Sequence, residues 1–134
     1  MLRNTLLYLS AQPRIFRFVR NNRFAKGMAR RFVAGETLDD ALDAVRDLNA
    51  KGITGTLDLL GESVTNEHEA REARDEYLRM LDRIEQQGLD ANVSLKLTAM
   101  GLDISEDLCA GIMHEILERA QQYGTFVRLD MESS

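Results

Sequence analysis

Three polar clusters in this chain could do chemistry together: Asp58 with Glu62, Lys96, and Asp130 with Glu132, spaced at intervals of roughly 33 to 40 residues. A lysine flanked by carboxylates has two catalytic uses. It can hold a substrate carboxylate as a fixed point charge, or, once desolvation lowers its pKa, attack a carbonyl to form a Schiff base. A third arrangement needs no substrate, because Lys96, Asp58, Arg128 and Asp130 could simply neutralise one another. Spacing alone leaves all three open. Other candidates are weaker. His68 and His114 fall on predicted helices among charged neighbours and read as exposed. Cys109 sits in an apolar stripe with nothing nearby to depress its pKa, so it reads as a small buried hydrophobe. As the one cysteine it has no partner for an internal disulfide, and no second Cys or His cluster accompanies it to bind zinc. Neither GxGxxG nor a Walker loop is present, and Met100 and Met113 read as packing.

Positioning the three clusters falls to a repeated pattern that begins at Gly35: amphipathic helix, glycine, short strand, polar loop. In the first helix Leu38, Ala41, Leu42, Val45 and Leu48 make one stripe, with Thr37 placed to cap it and Gly52 to end it. A strand is expected over Ile53–Leu60. A second helix, striped by Ala70, Ala73, Tyr77, Met80, Leu81 and Ile84, ends near Gly88 and leads to a strand over Val93–Leu97. The third carries Leu108, Cys109, Ile112, Met113, Ile116, Leu117 and Ala120, with Ser105 as cap and Gly124 as terminator, before a strand over Phe126–Met131.

Strands alternating with helices at this interval imply βαβ crossovers and a parallel sheet. The strands are not continuous apolar runs, as a sheet buried on both faces in apolar surroundings would require. Leu57, Leu59, Val93, Leu95, Leu97, Val127, Leu129 and Met131 share one side; Thr54, Thr56, Asp58, Ser94, Lys96, Arg128, Asp130 and Glu132 share the other. A parallel sheet with a polar inner face suits a (β/α)₈ barrel of the TIM type, with active residues at the C-terminal strand ends. The expected fold class is therefore α/β, an incomplete barrel holding the first three strands only. Residues 1–34 form an N-terminal helical arm and 35–134 the first βα units, so the chain reads as the N-terminal part of a longer protein. Open edges predict that it aggregates or stays partly molten when isolated.

The 134 residues are 44% hydrophobic and 29% charged, enough apolar side chains for one core and far from collagen-like or disordered compositions. Charged residues interrupt every apolar run before the roughly 20 residues that a membrane-spanning helix needs. The net charge of −5 conceals an asymmetry: eight of the 17 basic residues and none of the 22 acids precede Gly35. Such an arm can be an organellar transit peptide, a membrane-surface helix, or a helical cover whose arginines pair with the acidic body. Nucleic acid is a poor partner for an acidic body and an arm without a binding motif. The single cysteine makes a reducing, cytoplasmic setting the expectation.

Thr56-Leu57-Asp58-Leu59-Leu60-Gly61-Glu62-Ser63-Val64, Val93-Ser94-Leu95-Lys96-Leu97-Thr98-Ala99-Met100-Gly101 and Val127-Arg128-Leu129-Asp130-Met131-Glu132-Ser133 fall in order on successive strands. With these segments the chain resembles the proline dehydrogenase family, flavin-dependent barrel enzymes. The resemblance runs from the end of the arm to Ser134. It implies oxidation of L-proline to Δ1-pyrroline-5-carboxylate by hydride transfer to N5 of a non-covalent FAD, with the electrons passing to a membrane quinone. It assigns Lys96 to the substrate carboxylate, Asp130 to the active-site polar network, Met131 to flavin contact, and Glu62 to a gate closed by an arginine of the last barrel helix. No metal is implied. Most flavin contacts and the paired arginines that grip the carboxylate would come from beyond residue 134, so this segment alone is expected to be inactive. The arm would then aid a peripheral contact with the inner membrane. Two rivals stand beside this: a lyase or aldolase barrel using Lys96 as a Schiff base, and a non-catalytic relic whose arm binds a membrane or a protein.

Overall fold

The computed structural model describes residues 34–35, 37–61 and 64–131. The helical arm expected over 1–34 therefore lies outside the described residues apart from Ala34, as do Glu62 and Glu132. The chain divides into two compact units, residues 1–40 and 41–134.

Among the described residues, four helical segments and three strands follow one another as α1 (Leu38–Asn49), β1 (Gly55–Asp58), α2 (Glu67–Gln86), β2 (Ala91–Leu95), a 3₁₀ turn (Leu97–Met100), α3 (Glu106–Gln122) and β3 (Val127–Leu129). Their starts follow from side chains that satisfy the orphan amides of a first turn. Thr37 and Asp40 bond reciprocally at the start of α1, and Ser105 Oγ accepts the Leu108 amide at 3.3 Å. At α2 the cap is Asn66, whose Oδ1 accepts Glu69 N–H at 3.0 Å, a role the apolar periodicity did not reveal. All three long helices end alike. The residue after the glycine donates to the carbonyl five residues back, as Leu89 does to Ile84 at 3.1 Å, and Gly52, Gly88 and Gly124 take the left-handed φ this closure requires.

The strands form one parallel sheet in the order β1-β2-β3. Register sets Leu57 beside Val93 and Val93 beside Val127, and on the other side Asp58 beside Ser94 and Ser94 beside Arg128, so the expected division into two faces holds. On the apolar side, Leu57, Val93 and Leu95 join Tyr77, Met80, Leu81 and Ile84 of α2 and Ile112, Met113 and Ile116 of α3 in the core. Cys109 is buried there too, as its stripe implied. Gly101 closes this layer: a Cβ would come within 3.0 Å of Leu108 and 3.2 Å of Ala70, and its φ of 87° is left-handed. Between the helices Asp82 accepts hydrogen bonds from Arg119 and from Tyr123 at 2.6 Å. Burial raises its pKa, but those two donors outweigh burial and hold it below the usual aspartate value.

Several details differ from the periodic reading. The middle strand runs over Ala91–Leu95, two residues earlier than expected, because buried Ala99 and Met100 draw the chain into the 3₁₀ turn after Lys96. The outer strands are shorter than their alternating patterns. The polar side of β2 is not solvated: Asn92 and Ser94 are buried, since a middle strand is flanked on both sides. Leu48, Leu117, Leu129 and Met131, all expected on apolar stripes, are exposed.

Candidate active site at the carboxyl ends of the strands

Parallel strands end on the same side, and this places the nominated residues together. Asp58 closes β1, Lys96 follows β2 directly, and Asp130 follows β3, its amide donating to the Leu95 carbonyl at 2.9 Å. Lys96 remains extended, at φ −106° and ψ 138°, before the 3₁₀ turn begins. Asp58 is exposed, whereas Lys96 and Asp130 are half-buried. Asp58 and Lys96 line a recess of about 10 Å³, the space of about one water molecule, together with Leu59, Gly61, Tyr77 and Ala99.

Tyr77 is the residue that periodicity concealed. Its position in the α2 stripe marked it for the core, and it is indeed only 1% exposed. Yet its hydroxyl stands at the strand ends, accepting Leu59 N–H at 3.3 Å and lying 2.9 Å from the Ser94 carbonyl and 3.2 Å from Asp58 Oδ1. Burial pushes the Tyr77 phenol well above its ordinary pKa; the Leu59 amide opposes this, and the negative charges of Asp58 and Asp130 add to it. The hydroxyl therefore keeps its proton. Asp130 acts on the same centre as Asp58, although its side chain belongs to another strand.

One layer deeper, Ser94 Oγ is buried and has no hydrogen-bond partner among the described residues. Register puts it between Asp58 and Arg128 on the polar side. A buried hydroxyl in that condition costs free energy unless something further meets it, which marks the polar side as unfinished here. Met131 is 95% exposed just past β3. Glu62, the expected gate, lies outside the described residues. His68 pairs with Glu72 at 3.3 Å on the exposed side of α2, and His114 is exposed on α3. Buried Cys109 has its pKa raised by desolvation, which keeps the thiol protonated and unreactive. The cluster can bind and orient an anion through Lys96 against two carboxylates, and it holds one phenolic proton in place.

The family model described as proline dehydrogenase matches residues 41–134. Among curated relatives, Proline dehydrogenase 1 of Bacillus subtilis subsp. natto is 40% identical over 132 residues, and Proline dehydrogenase of Deinococcus radiodurans is 33% identical over 135 residues. Each alignment covers 98% of this chain and 43% of the relative, so the chain spans less than half the length of these relatives. Among solved structures, that of proline utilization A (PutA) from Bdellovibrio bacteriovorus inactivated by N-propargylglycine superimposes with a TM-score of 0.72 at 26% identity, over 81% of this chain and 14% of that one.

Proposed function

Because the chain belongs to the proline dehydrogenase family, we propose that it supplies the first three strands of a (β/α)₈ barrel that oxidises L-proline to Δ1-pyrroline-5-carboxylate. The observation that carries this reading is the meeting of Asp58, Tyr77 and Lys96 at one recess, with Asp130 beside it, on the side of the sheet where barrel enzymes work. Lys96 holds the proline carboxylate as a point charge. Asp130 orients the polar network around it, and Glu62 gates the site by pairing with an arginine of the last barrel helix. Lys96 shares its recess with the Asp58 carboxylate, an arrangement that favours the carboxylate clamp over the Schiff-base alternative.

FAD is the cofactor in this reading. The described residues fit one rim of such a group: an exposed methionine past β3, a cation and a carboxylate at the strand ends, and a buried hydroxyl with no partner on the polar side. Met131 would contact the flavin, with the remaining contacts coming from later strands. Bound FAD would supply the hydride acceptor for oxidation of the proline ring, and a membrane quinone would take the electrons onward. This chain's own residues bind and orient the substrate, so the segment by itself is inactive. The protein works in the cytoplasm, with its basic arm holding it peripherally to anionic lipid at the inner membrane.

The test is the visible spectrum of the complete protein before and after anaerobic addition of L-proline. A flavin band that bleaches is the expected result; a bound flavin that proline leaves oxidised overturns the reading. Borohydride in the presence of a carbonyl substrate should leave no adduct on Lys96. For the arm, co-sedimentation with anionic liposomes should weaken on deleting residues 1–34 and on raising salt, and unchanged binding removes that role.

A further inference from the structure

Tyr77 reaches the strand ends from the opposite side of the sheet to the polar residues. Its ring fills the α2–β2 interface, a task phenylalanine would perform as well. Its hydroxyl does something a phenylalanine could not. The β1 ladder stops at Asp58, and the next amide, Leu59 N–H, donates to the Tyr77 oxygen. The hydroxyl has one proton and two acceptors within reach, the Ser94 carbonyl of β2 and the Asp58 carboxylate of β1. One oxygen thus joins the end of β1, the end of β2 and a carboxylate that shares a recess with Lys96.

We propose that Tyr77 is a positioning residue: its hydroxyl fixes the Asp58 carboxylate against the recess wall and so sets where the charge of Lys96 meets the substrate carboxylate. This inference rests on the reading of the site as a proline carboxylate clamp. Three features make the hydroxyl suited to it. The ring is locked by burial, so the oxygen has little freedom to wander. Burial and the neighbouring negative charges keep the phenol protonated, so it remains a donor throughout the neutral range. The Leu59 amide occupies one lone pair, which leaves the proton directed toward the two acceptors. Asp58 is otherwise exposed, with a side chain free to choose among rotamers. Without the phenol its carboxylate loses its tether and the Lys96 charge loses its fixed counterpart.

The experiment compares Tyr77→Phe, Asp58→Asn and the double substitution in the complete enzyme. Loss of one hydrogen bond to a charged group should raise the KM for L-proline about tenfold while lowering kcat less than threefold. Added to Asp58→Asn, Tyr77→Phe should cost almost nothing more in KM, because the carboxylate it tethers is already gone. Effects that multiply, or a fall in kcat with KM unmoved, overturn the proposal in favour of a purely structural tyrosine. Amide hydrogen exchange at Leu59 reads the tether without any reaction: Tyr77→Phe should speed it about tenfold. Unchanged exchange overturns the tether whatever the substrate, whereas an unsubstituted enzyme that binds flavin and ignores proline overturns the reading of the site on which the inference rests.

Discussion

At the amino ends of the strands, Asn49 donates from Nδ2 to the carbonyls of Ile53 and Asp90, each at 3.0 Å, and accepts the Asp90 amide at 2.8 Å. Thr54 Oγ1 donates to the Asp90 carboxylate at 2.8 Å, and Gly55 N–H to the Asp90 carbonyl at 3.0 Å. At the carboxyl ends, Asp58, Tyr77 and Lys96 gather around a recess while the charge of Asp130 also reaches Tyr77, Ser94 is buried with no hydrogen-bond partner among the described residues, and Met131 stands exposed. Both ends use polar side chains set around the same strands. At the amino end every one of these groups is answered by a neighbouring segment, Asn49 by backbone groups and Thr54 by the Asp90 carboxylate, and the result is a joint between α1, β1 and β2. At the carboxyl end the groups are aimed at one another across strands and leave capacity over, which is the condition for binding something else.

Substitutions at the two ends should separate stability from function. Asn49→Ala breaks three hydrogen bonds and strands backbone groups of Ile53 and Asp90, so unfolding in urea should show a loss of about 3 kcal/mol with the KM of the complete enzyme unmoved. A rise in KM would show that the amino end is not a purely structural joint. Lys96→Met should do the reverse, raising the KM for proline by about thirtyfold, or ~2 kcal/mol, with little change in stability. An unchanged KM removes the clamp. Ser94→Ala deletes a buried hydroxyl that lacks a partner, and should stabilise this chain by about 1 kcal/mol in the same urea titration. A loss instead would mean that the hydroxyl is already satisfied and that the carboxyl end is as complete as the other.

The smallest effect concerns the contact between α2 and α3. Asp82 has a folded-state pKa below its unfolded one, so its contribution is fully present above about pH 4 and is lost as pH falls through the depressed value. Asp82→Asn should therefore flatten the decline in urea midpoint between about pH 5 and pH 3. An equally steep decline would mean that other carboxylates dominate the acid response.

Much of this was legible in the chain itself. The stripes of α2 and α3, the caps Thr37 and Ser105, the glycine terminators and the two-sided strands are all products of local geometry, since a period of 3.6 or 2.0 follows from the backbone and needs no knowledge of the partner. Parallel pairing then puts Asp58, Lys96 and Asp130 at one end of the sheet by topology alone. What that pattern could not supply is what each polar atom touches. Tyr77 reads as one more apolar position until the register of β1 against β2 brings Asp58, Leu59 and Ser94, 17 to 19 residues away, around its hydroxyl. Asn49 is silent for the same reason, because its partner Asp90 lies 41 residues on. The 3₁₀ turn after Lys96 and the burial of Asn92 and Ser94 depend likewise on neighbours from other strands and helices. Sequence by itself determined which residues lie on which face and at which end of the sheet; only the tertiary structure decided which of them meet. The physical reason is that a face is set by dihedral angles of adjacent residues, whereas a hydrogen bond between distant residues requires the packed layers to hold both atoms within about 3 Å of each other.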